Sequence, residues 1–299
     1  MKRDFSRLLT EQPNPRSARI DTLSVPEILD VIHAEDASIA AAAAAAKPRR
    51  VRAVNLLVDR LRKVGRVFFV GAGTSGRLGV LEAAELPPTF DTRPTQAQSI
   101  MAGGPECVWA SKEGAEDDGA DGARQLRIRA VGPLDAVIGI AASGVTPFVH
   151  GALAEAKKRG AARILVACNR RGVPPDAADV VVAVRVGPEV IAGSTRLRAG
   201  TATKMVLNQL TTAAMIRLGK VYGNRMVDLQ ARSVKLEARA LRIVREAARA
   251  SESDAARALK AAGGRAKLAI VMLRRGVGKD EAAKLLAQAG GMLRKALEP

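Results

Sequence analysis

Residues 65–88 read GRVFFVGAGTSGRLGVLEAAELPP. The apolar run 67–70, with Val64 just before it, predicts a buried strand. The run breaks at Gly71-Ala72-Gly73-Thr74-Ser75-Gly76 and resumes with helical spacing, which Pro87-Pro88 is expected to stop. A strand passing through a Gly/Thr/Ser turn into a helix is a ready anion cradle. Unpaired amides and the positive end of the helix dipole converge on one point, and hydroxyls add donors. Gly73, Thr74 and Ser75 are therefore candidate phosphate contacts.

A second stretch repeats the pattern. Residues 135–141 (DAVIGIA) read as a buried strand that ends in Ser143-Gly144-Val145-Thr146 and enters a helix at Pro147. Further strands are expected at 99–102, 163–167 and 180–184, with helices at 105–118 and 195–218. Strand and helix alternate, so the chain is α/β, with an open, mostly parallel sheet between helices. Two such turns at the carboxyl ends of parallel strands would line one crevice, with Ser143 and Thr146 opposite Thr74 and Ser75. The run from Gly193 to Thr201 resembles a third anion-tolerant helix start, from which Arg196 and Lys204 could reach a phosphate.

Upstream, residues 4–24 are polar and proline-broken and predict an extended arm over the fold or over a partner subunit. Ser24-Val25-Pro26-Glu27 caps a helix expected to run through the alanine tract to about Pro48, and a second helix is expected at 52–63. After a helix at 236–250, three short amphipathic helices with glycine turns are expected and no strand. The domain reading is an arm and helix over 1–50, a sugar-phosphate domain over 51–235 and a helical domain over 236–299.

The chain has 299 residues, a formal net charge of +18 and only 2% aromatic residues. The positive charge is spread without a basic block, and there are few rings for base stacking, which argues against nucleic acid. Two cysteines without paired spacing, and two histidines, offer no recognised zinc pattern. No apolar run reaches membrane-spanning length, and residues 1–4 lack a signal-peptide core, so a soluble cytoplasmic protein is expected.

Gly71, Gly73 and Gly76 also match a dinucleotide fingerprint. That pattern wants an acid at the end of the following strand. Asp91 has the spacing but precedes that strand, and the hydroxyl pair suits a monophosphate better. Among the acids, Glu85 falls in a helix apolar nearly all round, where a buried carboxylate needs partners or a task, whereas Glu82 reads as a surface residue. Spacing alone leaves a surface role open for Glu85 too. Glu113 and Glu116 lie in an acidic run that reads equally as a solvated helix end.

The stretches GAGTSGRLGVLEAAELPPTF, EGAEDD, GIAASGVTPFV and GSTRLRAGTATKMVLNQLTTAAMIRLGKVYGNRMVDL resemble the N-acetylmuramic acid 6-phosphate etherases across essentially the whole chain. The resemblance implies a sugar isomerase (SIS) fold, a three-layer open parallel sheet, followed by a small all-helical, UBA-like domain. It implies cleavage of the lactyl ether at carbon-3 of N-acetylmuramic acid 6-phosphate, giving N-acetylglucosamine 6-phosphate and D-lactate in cell-wall sugar recycling. Glu85 matches the family's proton donor and Glu116 its other catalytic carboxylate. No metal or organic cofactor is implied, and a homodimer with its site near the interface is. The family has Ser-Glu-Cys where this chain has Ala84-Glu85-Leu86, and Arg and Tyr at Val145 and Phe148. A relative that regulates glucokinase shares the fold without catalysis, so a sugar-phosphate sensor is the alternative.

Overall fold

The computed structural model describes residues 8–228 and 234–298, except the side chains of 234 and 235. The chain divides into two compact units, Met1–Ala83 with Thr95–Thr211 and Ala84–Pro94 with Thr212–Pro299.

In the first unit, the described arm lies in three short 3-10 turns, Leu9–Glu11, Pro15–Ser17 and Ile20–Thr22. It is laid over its own fold: the Ser17 hydroxyl donates to Val190 O at 2.6 Å, and Gly193 N to Thr10 O at 2.9 Å. Helix α1 (Val25–Asp36) begins at the expected Ser24, and Glu27 of its first turn reaches back to accept from Ser24 N at 2.8 Å. The expected single helix to Pro48 is instead two, α1 and α2 (Ile39–Ala45). Pro48 does not end a helix but opens α3 (Lys47–Arg62), in whose first turn a missing N–H costs nothing.

Strand β1 (Val67–Gly71) follows, then α4 (Gly73–Phe90), β2 (Ala97–Met101), α5 (Gly119–Ile128) and β3 (Ala136–Ile140). The first unit's remaining elements are α6 (Pro147–Lys158), β4 (Ala162–Ala167), β5 (Val180–Ala183) and the start of α7 (Arg198–Arg217). The five strands are all parallel in the order β2-β1-β3-β4-β5. Phe68, Val70, Val137 and Leu165 face a core shared with α5 and α6. The other face carries Phe69, against which Gly79 of α4 packs, and α3 lies on β3, β4 and β5. The result is the three-layer sheet.

Several expectations are corrected. Val64 does not prolong the strand; it is exposed and left-handed at φ 63°. The double proline does not stop α4, which runs on to Phe90 and is closed by Asp91 N donating to Pro87 O at 3.0 Å. The helix expected at 105–118 is replaced by two 3-10 turns, Pro105–Val108 and Ala115–Asp117, with left-handed Gly114 between them. Helix α5, which sequence reading missed, meets α6 through glycine: Cβ atoms on Gly122 or Gly151 would overlap the backbone of Phe148 or Gly119.

The second unit holds a small hairpin, β6 (Val221–Tyr222) with β7 (Arg225–Met226), also unforeseen. Then come α8 (Val234–Ala248), α9 (Glu252–Ala261), α10 (Ala266–Arg275), α11 (Lys279–Gln288) and α12 (Leu293–Leu297). Four helices follow α8 where three were expected, around a core of Ala240, Val244, Ala269 and Ile270. Among the described residues no helix is long and apolar enough to cross a membrane.

Asp135 ties the starts of β1 and β3 together. It accepts from Arg66 N (2.9 Å), Arg66 Nη2 (2.7 Å) and Gly132 N (2.9 Å). Burial pushes its pKa up, but these bonds and the Arg66 charge outweigh burial and hold it below the ordinary value. Its stabilisation is present above the unfolded pKa of about 3.9 and is lost as pH falls through the lower folded value. Asp135→Asn is expected to cost about 2 kcal/mol at pH 7, less than a fully buried pair because Arg66 is partly exposed. The difference in thermal stability between mutant and wild type should shrink steadily as pH falls below the unfolded value of about 3.9; a gap that stays undiminished into acid would disprove this account.

Candidate active site

The order β2-β1-β3 places the reversal of strand order between β1 and β3, where open α/β sheets bind ligands. Both hydroxyl turns leave this edge from neighbouring strands, with Gly71 in register with Ile140.

In the first turn, a Cβ on Gly71 would stand 2.8 Å from Gly76 N, so only glycine lets β1 fold so tightly into α4. Gly73 is left-handed at φ 51° and open to space. Thr74 and Ser75 are half-buried in the first turn of α4, where helix amides lack internal partners. In the second turn, Ser143 Oγ accepts from Val145 N at 3.3 Å, and Gly144 is left-handed at φ 79°. Thr146 stands at the N-cap of α6, where its side chain makes no capping bond. His150 Nε2 lies 2.8 Å from Gly144 O and holds the turn from behind.

The third helix start is different. Glu189, fully buried, accepts from Arg198 N and Ala199 N at 2.9 Å each. Arg198 in turn donates to Pro188 O at 2.8 Å and pairs with Glu35. The dipole of α7 is thus already met by a carboxylate of the chain. What this helix start offers a ligand is side chains: Arg196, just before α7, and Lys204, on it, are both exposed. Its first turn lies beside the cradle: a Cβ on Gly200 would be 3.6 Å from the Thr74 methyl.

Glu116 is exposed in its 3-10 turn and lines a cavity of about 200 Å³ with Gly73, Arg77 and Gly114. Arg77 pins the adjoining loop by donating to Val108 O (2.8 Å) and Cys107 O (3.0 Å). From the other side, Gly119 packs on Pro147, where an added Cβ would stand 3.1 Å from the carbonyl. Glu116 is therefore held near both turns.

Glu85 is on α4 but within the second unit, and it is exposed. The buried acid of that helix is Glu82, which sequence reading took for a surface residue. Phe148 is fully buried in the core, so it cannot face a ligand; Val145 is half-buried. Glu113 is exposed in the same cavity wall as Glu116. Cys168 lies under α7, and burial pushes its thiol up to about 12, so it is no nucleophile. Among the described residues no His/Cys/Asp/Glu group is arranged to hold a metal ion. Sequence reading also missed Glu189 and Arg198, whose only signal was a charged residue heading an apolar helix.

A family model described as the glucokinase regulatory protein N-terminal SIS domain matches residues 50–157. An N-acetylmuramic acid 6-phosphate etherase of Mycolicibacterium smegmatis is 48% identical over 98% of this chain and 99% of its own length. That of Symbiobacterium thermophilum is 51% identical over 92% and 91%. The chain belongs to the N-acetylmuramic acid 6-phosphate etherase family. Among solved structures, phosphoheptose isomerase of Neisseria gonorrhoeae is 16% identical, with a TM-score of 0.43 over 62% of this chain and 98% of that one.

For this etherase-family chain, Ser75→Ala and Ser143→Ala should each weaken inorganic phosphate binding by about 1–3 kcal/mol in calorimetric titration. Unaltered affinity in both would take the hydroxyl turns out of the phosphate site.

Proposed function

We propose that the chain is a lyase that cleaves the D-lactyl ether of N-acetylmuramic acid 6-phosphate to N-acetylglucosamine 6-phosphate and D-lactate. The observation that carries this is near-full-length similarity to proteins bearing the etherase name, in a chain with two acids and two hydroxyl turns. The start of α4, with Gly73, Thr74 and Ser75, takes the phosphate together with Ser143 and Thr146. Arg196 and Lys204 supply positive charge. Binding there contributes remote energy for placing the sugar.

The ether leaves readily only when it is β to a carbonyl, which the open-chain aldehyde at carbon-1 provides. Glu116 removes the carbon-2 proton, and the electron pair forms the carbon-2–carbon-3 double bond as the carbon-3–oxygen bond breaks. Glu85 protonates the departing lactate oxygen. Water then adds at carbon-3 and a proton returns to carbon-2. Two carboxyl groups in different settings suffice for these transfers. Amides of the glycine turns can meet the developing enolate charge.

We place the reaction in the cytoplasm, in cell-wall amino-sugar recycling, and in a homodimer. Support for the dimer comes from Leu81 and Trp109, large apolar side chains left exposed in the first unit. Leu81 stands one turn before Glu85 on α4. A sugar-phosphate sensor is the second reading, but the regulatory-protein SIS model matches 50–157 only, against near-full-length similarity to etherases.

Replacing Glu85 or Glu116 by Gln should lower D-lactate release by about 100- to 10,000-fold while N-acetylglucosamine 6-phosphate still binds. Near-normal turnover in either variant would remove that acid from the mechanism; binding without any turnover in the wild type would favour the sensor. Turnover in heavy water should place deuterium at carbon-2 of the product, and oxygen-18 water should label carbon-3. An unlabelled carbon-2 would count against elimination, with exchange of the Glu116 proton checked separately.

A further inference from the structure

We infer that Glu82 is a positioning residue, which clamps α4 to α7 and so fixes where Lys204 stands relative to Ser75 at the phosphate cradle. The inference rests on the phosphate reading above and adds a residue that touches no substrate. Glu82 is 6% exposed. One carboxylate oxygen accepts from Asn208 Nδ2 at 2.6 Å and the other from the Thr211 hydroxyl. Asn208 and Thr211 are three residues apart, on one face of α7. Two bonds to one planar group fix both the rotation and the slide of one helix against the other.

The geometry carries that constraint to the cradle. Ser75 precedes Glu82 by seven residues, and Lys204 precedes Thr211 by seven. Seven residues are close to two turns, so each pair shares a helix face and is separated by about 10 Å along the axis. The two helices begin side by side, as the approach of Gly200 to Thr74 shows. Lys204 and Ser75 therefore head the seam that Glu82 closes.

Elsewhere on α4, Arg77 ties the helix to the loop after β2 rather than to α7. The helix meets the sheet through Gly76 and Gly79, which permit close approach but grip nothing. An apolar pair would hold α4 and α7 together as firmly as a buried carboxylate does, without choosing a register. The Thr211 hydroxyl also lies 3.1 Å from Leu207 O, so it keeps a partner when Glu82 is changed and the helix survives the substitution.

The test compares Glu82→Gln, Lys204→Ala, their combination, and the reciprocal swap E82Q/N208D, in which an amide at 82 donates to a carboxylate at 208. Affinity for N-acetylglucosamine 6-phosphate is measured by calorimetry, kcat and KM by lactate release, and Tm by scanning. Glu82→Gln should weaken sugar-phosphate binding about tenfold, raising KM while kcat stays within about threefold, and E82Q/N208D should restore the affinity. Lys204→Ala should cost about tenfold in the wild-type chain but little in the E82Q background, as expected of coupled residues. If Lys204→Ala costs the same in both backgrounds, or if E82Q lowers Tm and leaves affinity intact, the clamp is structural only and the inference is overturned. If Lys204→Ala and Ser75→Ala are both silent in the wild-type chain, the phosphate reading has failed and takes this inference with it. Should E82Q not fold, Thr211→Val, which removes one of the two bonds, is read in the same way.

Discussion

The approach of Gly76 to Gly71 is the contact on which the site hangs. With a side chain at either position, α4 could not turn back over the end of β1, and its first amides would point elsewhere. Everything that follows uses that tight corner. The next turn of α4 presses Gly79 onto Phe69, the loop after β2 is pinned by Arg77, and α7 begins against Thr74. Glycine is costly in chain entropy, and at Gly71, Gly122 and Gly151 it sits where backbone meets backbone.

Two groups of acidic residues matter to the site. Glu35, Glu82, Asp135 and Glu189 are buried, and each is engaged by donors from distant parts of the chain. They hold elements in register. Glu85 and Glu116, assigned to proton transfer, are exposed in the single chain and hold nothing. Glu35, Asp135 and Glu189 each answer an arginine or the start of a helix, whereas Glu82 answers an amide and a hydroxyl within α7.

Much of the fold was legible because buried parallel strands read as unbroken apolar runs. Residues 67–70, 135–141 and 163–167 lie within a residue or two of β1, β3 and β4. The glycine–hydroxyl turns were legible for the same local reason. Helix α5 was not, since its glycines look like a turn until α6 is present to need them. Nor could periodicity choose between Glu82 and Glu85. The partner that decides it, Asn208, is 126 positions away in the chain. Glu189 caps a helix nine residues downstream, outside any local capping pattern, so the sequence suggested a free anion site where a carboxylate already sits.

Trp109 is the single tryptophan of the chain and is 89% exposed, on the loop that Arg77 holds beside the cradle. The molecule thus carries one indole chromophore, placed at its most informative loop and free of background from any other. A ring so exposed should emit as an indole in water does, and a ligand or second subunit that shielded it would shift that emission to the blue. Events at this edge of the sheet can be followed optically, in real time, in the unlabelled protein.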